Sequence, residues 1–424
     1  MQNEMPFDVV IVGASTAGCA AAVLFSRRGL KVALVEQNPH ADAYKKICTH
    51  YILPAARPAM ARLGLDHLVE QASGVRNSLA LWTRWGWVPP VDVNTKNFGY
   101  NIRRQTFDPL LRSLAIEAPG VHFMPGWKAA ALLRDGRRVC GLTIEDKQGE
   151  QRTLRAALTV AADGRESGMV ELAGIPSKES PNIRFSCFAH FRNIPDEDRS
   201  FSRMWLLEPE IGYQFPNDDG TTLIAIMPMK TRLDEFKQDP EACYRRFIAA
   251  LPGAPKLDGA EMISKIMMNS KNSNLLRGRA PDGMALIGDA AMTSDPLAGV
   301  GIAWALQSAE WLVEHLAEPI KQDAPLAPAL KRYARQHRWE LRAHHQTIRD
   351  MARVAPLNPF QRLLFSAAAR DTRTAELVND FLARDIGVGR FLSPGALGRA
   401  LWVNLRHGLG GPRAGAQLAR GGNQ

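Results

Sequence analysis

Phe7-Asp8-Val9-Val10-Ile11-Val12-Gly13-Ala14-Ser15-Thr16-Ala17-Gly18 is the stretch on which the reading of this chain turns. The run Phe7–Val12 has the continuous apolar character of a strand covered on both faces, and it stops at Gly13. Ala17–Arg28 then reads as an Ala-rich helix ended by Gly29, and Lys31–Val35 as a second strand closed by Glu36. Strand, turn, helix and strand make a βαβ unit. Its turn has the form G-x-S-x-x-G. The first Gly allows a tight turn, a small middle residue lets backbone approach a diphosphate, and the last Gly lets helix and strand pack closely. The helix N-terminus adds about half a positive charge at the same place. Gly13, Ser15, Thr16, Ala17 and Gly18 are therefore candidates to hold a dinucleotide. Glu36, 18 residues after Gly18, is placed to accept hydrogen bonds from ribose hydroxyls. A hydrolase nucleophile elbow would need Gly in the fifth position of this turn, where Ala17 stands.

The rest of the chain is compatible with a large α/β protein. It has 424 residues, 46% of them hydrophobic and 23% charged, which excludes collagen-like and disordered classes. No apolar run reaches the roughly 18 residues of a membrane-spanning helix. Five scattered cysteines with no CxxC pair, and ten histidines with no HExxH, point away from disulfides and metal sites and toward a cytoplasmic protein. The segment Met1–Phe7 lacks the basic start of a secretory signal. Charge is uneven. Residues 1–320 are balanced, and residues 321–424 hold 17 Lys and Arg against 7 Asp and Glu, the whole net charge of +10. The plain reading is a solvated Arg-rich helical layer; the alternative is contact with an acidic partner or a membrane surface.

Two further glycine turns follow apolar strands. Leu158–Ala162 leads into Asp163-Gly164, and Met284–Ile287 leads into Gly288-Asp289. Asp295-Pro296-Leu297-Ala298-Gly299-Val300-Gly301 then opens a helix running to about Leu316. A strand-end Asp beside Gly is suited to a polyol chain, and the helix end at Gly299–Gly301 favours negative charge. Residues 185–229 read as antiparallel strands, with Phe185, Phe188, Trp205, Tyr213, Phe215, Met227 and Met229 as candidates for an apolar substrate roof. Asp108–Glu117 reads as a helix with Asp108 near its N-cap. A Gly/Ala/Arg-rich tail ends the chain.

In this order, Gly13-x-Ser15-x-x-Gly18, Asp163-Gly164 and Gly288-Asp289 resemble the flavin-dependent monooxygenases of the p-hydroxybenzoate hydroxylase type. That superfamily also holds geranylgeranyl reductases and flavin-dependent halogenases. Arg104-Gln105-Thr106-Phe107-Asp108 is similar to the family's R-x-x-F-D segment, and Lys46-Ile47-Cys48 to a K-x-C segment of the reductase and halogenase branches. The resemblance implies an α/β fold: a Rossmann-like FAD-binding domain (1–180 and 276–320), an inserted mixed β-sheet substrate domain (181–275) and a basic helical C-terminal region (321–424).

By the same resemblance the cofactor is FAD. Glu36 would bind ribose, Ala129 would meet adenine through its backbone, and Lys46, Arg104 and Asp163 would serve the nucleotide. Gly288 and Asp289 would hold ribitol, and Pro296, Gly299, Val300 and Gly301 would line the flavin ring. Val170 stands where the hydroxylases carry an Arg for the nicotinamide donor, and Met292 where they carry His. NAD(P)H and a separate flavin reductase therefore stay open as electron sources. Trp85-Gly86-Trp87-Val88-Pro89 is similar to the halogenase W-x-W-x-I-P, and it reads here as strand alternation. His50 and His190 are the weak candidates for acid–base work. The implied activity is hydroxylation of an aromatic or electron-rich organic substrate through a flavin oxygen adduct. The alternative is a reductase or dehydrogenase of the geranylgeranyl reductase type, with a halogenase behind it. The expected partner is an organic substrate, free or carried on another protein, and not a nucleic acid.

Overall fold

The structure, a computed structural model, describes residues 4–94, 98–353 and 357–407. The C-terminal Gly/Ala/Arg tail lies outside the described residues.

Strand Glu4–Val12 sits inside a seven-stranded sheet, paired in parallel with Val32–Glu36 on one side and Gln151–Ala161 on the other. Val121–Pro125 extends the sheet beyond Val32–Glu36, and Met284–Leu286 joins Gln151–Ala161, both in parallel. The hairpin Lys128–Asp135 and Arg138–Glu145 closes the other edge. Each central strand is buried on both faces, as a parallel sheet between layers requires. Val9 and Ile11 face one core with helices Thr16–Arg27 and Gly301–Lys321, and Val10 and Val12 face another with Leu142 and Met169.

Strands Ser186–Arg192, Ser202–Leu206, Ile211–Pro216 and Thr222–Met227 form the body of a second, eight-stranded sheet. Leu79–Thr83 pairs in parallel with Ser202–Leu206 and carries Gly86–Val88 as its hairpin partner. The sheet thus reaches outside 181–275 into the chain read as nucleotide-binding domain. Local alternation marks 79–88 as strand but cannot say which sheet a parallel partner will supply.

The helix read as Asp108–Glu117 begins earlier, at Arg104, and Asp108 lies inside it rather than capping it. The i,i+4 pair of Arg104 Nε with Asp108 Oδ1, at 2.5 Å, carries the helix back by a turn. The C-terminal region is helical over Ala327–Ala352, Pro359–Ala368, Thr372–Leu382, Val388–Phe391 and Pro394–His407. It packs through Leu341, Ile348, Leu364, Phe365 and Phe381 onto the core that also holds Ile11 and Leu306.

Candidate functional site

Two tight approaches shape the first turn. A Cβ on Gly18 would stand 1.8 Å from the Gly13 carbonyl oxygen, so only Gly lets the helix start this close to the loop. Gly288, at φ +56°, would press a Cβ to 2.9 Å from that of Ala17, so the third motif is packed directly against the first.

Between them opens a cavity of about 880 Å³. Gly13, Ser15, Thr16, Ala17, Glu36, Arg104, Ala129, Asp163, Asp289, Pro296, Gly299, Val300 and Gly301 all line it. Gly18 and Gly288 stand behind its wall. Glu36 lies at one end beside Trp127 and Ala129, where Glu36 Oε2 accepts from the Ala14 N–H at 2.8 Å. Asp289 and the Pro296–Gly301 turn also line it, with the start of helix Gly301–Lys321 at its wall. A nucleotide carrying a ring fits these residues: Glu36 as an acid for a ribose, a glycine-lined helix end for a diphosphate, and Asp289 as an acid for a polyol.

Arg104 is buried and organises the loop. Its guanidinium donates to Asp108, to Thr16 Oγ1 at 3.0 Å and to Ser15 Oγ at 3.3 Å. Arg112, which the sequence reading does not single out, donates from Nε and Nη2 to the Ala14 carbonyl at 3.1 and 3.0 Å, and from Nη1 to those of Ala41 and Ala43. Its signal was the spacing: Arg104, Asp108 and Arg112 recur every four residues on one helix face. Asp163 accepts from Ser167 Oγ at 2.6 Å and from the Met169 N–H at 3.0 Å, so it also ties down the start of helix Gly168–Leu172. Burial raises its carboxyl above the ordinary range.

Three expectations need correction. Lys46 is exposed and does not line the cavity. Its neighbour Lys45 does, and places Nζ 3.2 Å from Asp289 Oδ2, which holds the Lys45 ammonium above its usual range. Residues 37–50 contain neither helix nor strand, so no periodicity says which side chain turns inward. Second, His50 and His190 do not line the cavity. His190 lies on strand Ser186–Arg192 and His50 in the loop before Tyr51–Ile52, with Nε2 to Nε2 at 3.0 Å, while His50 Nδ1 accepts the Arg104 N–H at 3.1 Å. That acceptor role assigns the His50 proton to Nε2, donating to His190. Burial and the Arg104 charge push His50 down to about 3, and burial pushes His190 to about 4, so both rings stay neutral. Third, the roof residues divide by face. Phe188, Tyr213 and Met227 line the cavity. Phe185 and Trp205 point to the other face, packed against helix Pro240–Ala249, as the period of two demands. Met229 lines neither cavity.

Phe215 belongs to a second, slender pocket of about 70 Å³. The two cavities share Thr49, Tyr51, Tyr213, Pro296 and Gly299 as a common wall. From there the second runs past Met204, Phe365, Phe381 and Phe391 into the C-terminal helices. Tyr213 fixes the partition by donating to the Leu297 carbonyl at 2.7 Å.

A family model described as FAD binding domain matches residues 6–344. The chain is similar to digeranylgeranylglycerophospholipid reductase 1 of Methanopyrus kandleri, 29% identical over 371 residues that span 83% of this chain and 91% of that protein. Among solved structures, a flavoprotein/dehydrogenase of Cytophaga hutchinsonii shares the fold with a TM-score of 0.76 at 17% identity, covering 95% of this chain and 100% of that one. A geranylgeranyl bacteriochlorophyll reductase-like protein of Thermoplasma acidophilum does so with a TM-score of 0.65 at 19% identity, covering 95% and 99%. The glycine turns, the cavity they line and these likenesses agree: the chain belongs to the FAD binding domain family, within the superfamily of p-hydroxybenzoate hydroxylase-type flavoproteins, and is an FAD-binding oxidoreductase.

Proposed function

We propose that the protein is a flavin-dependent reductase or dehydrogenase that saturates carbon–carbon double bonds in a long apolar chain, rather than a hydroxylase. The observation that carries this reading is the apolar pocket behind the flavin-side wall, leading away through Met204, Phe215, Phe365 and Phe381. At about 70 Å³ that space takes only a few methylene groups, so it would extend the flavin cavity to receive the end of a chain, for which a compact aromatic substrate has no use. The resemblance to digeranylgeranylglycerophospholipid reductases, whose name states an isoprenoid lipid substrate, supports the same choice.

Phe188, Ala225 and Met227 would seat the chain and exclude water on the roof side of the cavity. FAD, once reduced, would supply two electrons and one of the two protons that each double bond takes up, and the other proton would come from solvent or a side chain at the wall. Val170 is 3% exposed inside the apolar core, so the position where hydroxylases keep a nicotinamide-contacting Arg offers no charge here. A separate electron carrier is accordingly the proposed donor.

No helix of the described residues is long and apolar enough to cross a membrane. The last helices nevertheless suit an anionic bilayer surface. Phe360, Leu401, Trp402 and Leu405 are exposed, Leu405 by 76%. Helices Pro359–Ala368 and Pro394–His407 contain Arg362, Arg399 and Arg406 and no Asp or Glu. Helix Pro359–Ala368 also walls the slender pocket through Gln361 and Phe365, so a seated protein would offer that pocket to a membrane lipid.

The test is turnover of the reduced holoprotein with a polyprenyl ether lipid. Anaerobic gain of two hydrogens per double bond, read by mass, is expected. Incorporation of labelled oxygen in air, with no anaerobic product, would return the hydroxylase reading.

A further inference from the structure

Helix Ala327–Ala352 has two unlike faces. The inner face holds it against the flavin cavity wall. Tyr333 donates its hydroxyl to the Leu286 carbonyl at 2.7 Å, at the end of the strand that leads into Gly288-Asp289. His345 sets its ring 6.4 Å from that of Trp304, centroid to centroid, and Trp304 lines the cavity. The outer face carries Lys331, Arg332, Arg335, Arg338 and Arg342, all exposed. Lys331, Arg335, Arg338 and Arg342 follow an i, i+4, i+7, i+11 spacing, so they form one stripe about 16 Å long. Among the described residues none of these cations makes an ion pair. Of the acids on this helix, Asp350 is paired with Arg349 at 3.1 Å, and Glu340, two positions from both Arg338 and Arg342, lies on the opposite side from the stripe. Trp339 stands beside the stripe, 83% exposed, the one large apolar side chain exposed on this helix.

A row of like charges without counter-charges repels itself and attracts an acidic surface. A second copy of this chain does not supply one, since two such faces would meet cation to cation. A bilayer rewards a broad apolar face, and this face has a single ring. Trp set among Arg is instead the composition that anchors protein interfaces. We infer that the outer face of helix Ala327–Ala352 docks an acidic one-electron carrier protein, whose carboxylates meet the Arg stripe and whose surface takes the Trp339 ring. The inference rests on the reading of a separate electron donor and gives that donor its place. One helix diameter, about 10 Å, lies between the docked protein and the Trp304 wall of the cavity. Two carriers, each oxidised by one electron, and two solvent protons would bring bound FAD to its two-electron-reduced form.

The experiment uses the FAD-loaded protein and an acidic plant-type [2Fe–2S] ferredoxin as the probe. Calorimetric titration with the oxidised probe should show binding that weakens with added salt, and anaerobic mixing with the reduced probe should bleach the flavin absorbance. Joint replacement Arg335→Gln, Arg338→Gln and Arg342→Gln should weaken the binding and slow the second-order reduction by about tenfold or more at low salt. FAD content and reduction by dithionite should not change. The three Arg→Lys replacements should keep most of the binding, and Trp339→Ala should weaken it about fivefold. The inference is overturned if the unmodified protein does not bind the probe at low salt, or if the triple Gln variant binds it and accepts electrons undiminished. It is also overturned if the stripe serves phosphatidylserine vesicles and not the ferredoxin. Rapid reduction by NADPH alone would remove the separate-donor reading itself, and the inference with it, whereas an undiminished triple variant removes the docking face alone. None of these readouts uses a lipid substrate, so double-bond reduction is judged apart from them.

Discussion

Helix Thr16–Arg27 and helix Pro359–Ala368 both stand against a cavity, and they are specified in opposite ways. The first is placed by backbone. The glycines at its start are dictated by close approaches, 1.8 Å at its own Gly18 and 2.9 Å at Gly288, which packs against its Ala17. The second is placed by side chains, with Leu364 and Phe365 buried and Phe360 53% exposed. Many apolar residues would do its work nearly as well. Tolerance to substitution should therefore differ between the two regions far more than burial does.

The largest effect is expected at Gly18→Val. Overpacking ordinarily costs about 1–3 kcal/mol, and here the obstacle is a carbonyl oxygen that cannot rotate away. The variant should be isolated without bound flavin absorbance, or fail to fold by circular dichroism. Retention of FAD at normal stoichiometry would break the comparison at its strongest point.

Asp289 comes next. Asp289→Ala removes charge-assisted hydrogen bonding from the cavity wall and should weaken FAD by about 1.5–3 kcal/mol, roughly 10- to 150-fold in Kd. Lys45→Met should cost under about 1 kcal/mol, since its pair with Asp289 is half exposed. Lys46→Met should change nothing. Fluorescence titration of the apoprotein separates the three, and an effect of Lys46 exceeding that of Lys45 would contradict the geometry.

This contrast also explains what was legible in the sequence. The three glycine turns stand out because their steric demand leaves so few residue choices, and Glu36 and Asp289 are fixed by their distance from those turns. The exchange of Lys46 for Lys45 arose in a segment with no regular backbone. The two faces of the second sheet were not told apart because both are apolar: Phe185 and Trp205 meet a helix, Phe188 and Tyr213 meet the cavity. The slender pocket was invisible, because Met204, Phe215, Phe365 and Phe381 come from distant parts of the chain and each reads as ordinary core.

Acid should act on the contact between His50 and His190. His50 and His190 have an ordinary pKa of 6.5, lowered to about 3 and about 4 in the folded protein. The unfolded chain therefore takes up protons first as pH drops. The stability contributed by the neutral pair is complete above pH 6.5 and is lost as pH falls toward the folded values. Around the pair, Arg103 and Arg104 oppose protonation and Asp108 and Asp218 favour it. His337, His344 and His345, also lowered by burial, add the same sign from the C-terminal helices. The melting temperature should fall between pH 6.5 and 4, and His190→Gln should flatten part of that slope. An unchanged slope would move the acid sensitivity wholly to the C-terminal layer.

The smallest effect sharpens the comparison from the other side. If the C-terminal helices meet a bilayer, each basic residue near the surface contributes about 1 kcal/mol toward anionic lipid. Arg406→Gln should then weaken co-sedimentation with phosphatidylserine vesicles about fivefold. Added salt should weaken the unmodified protein similarly, because exposed charges are screened within about 10 Å at 0.1 M. FAD content should not change, since Arg406 lies on helix Pro394–His407 and lines neither cavity. Leu405→Ser, losing an apolar contact, should reduce binding to neutral and anionic vesicles alike, whereas Arg406→Gln should act on anionic vesicles only. If no vesicle binds even at low salt, the exposed Leu401, Trp402 and Leu405 have no lipid role, and the Arg-rich layer is a solvated surface.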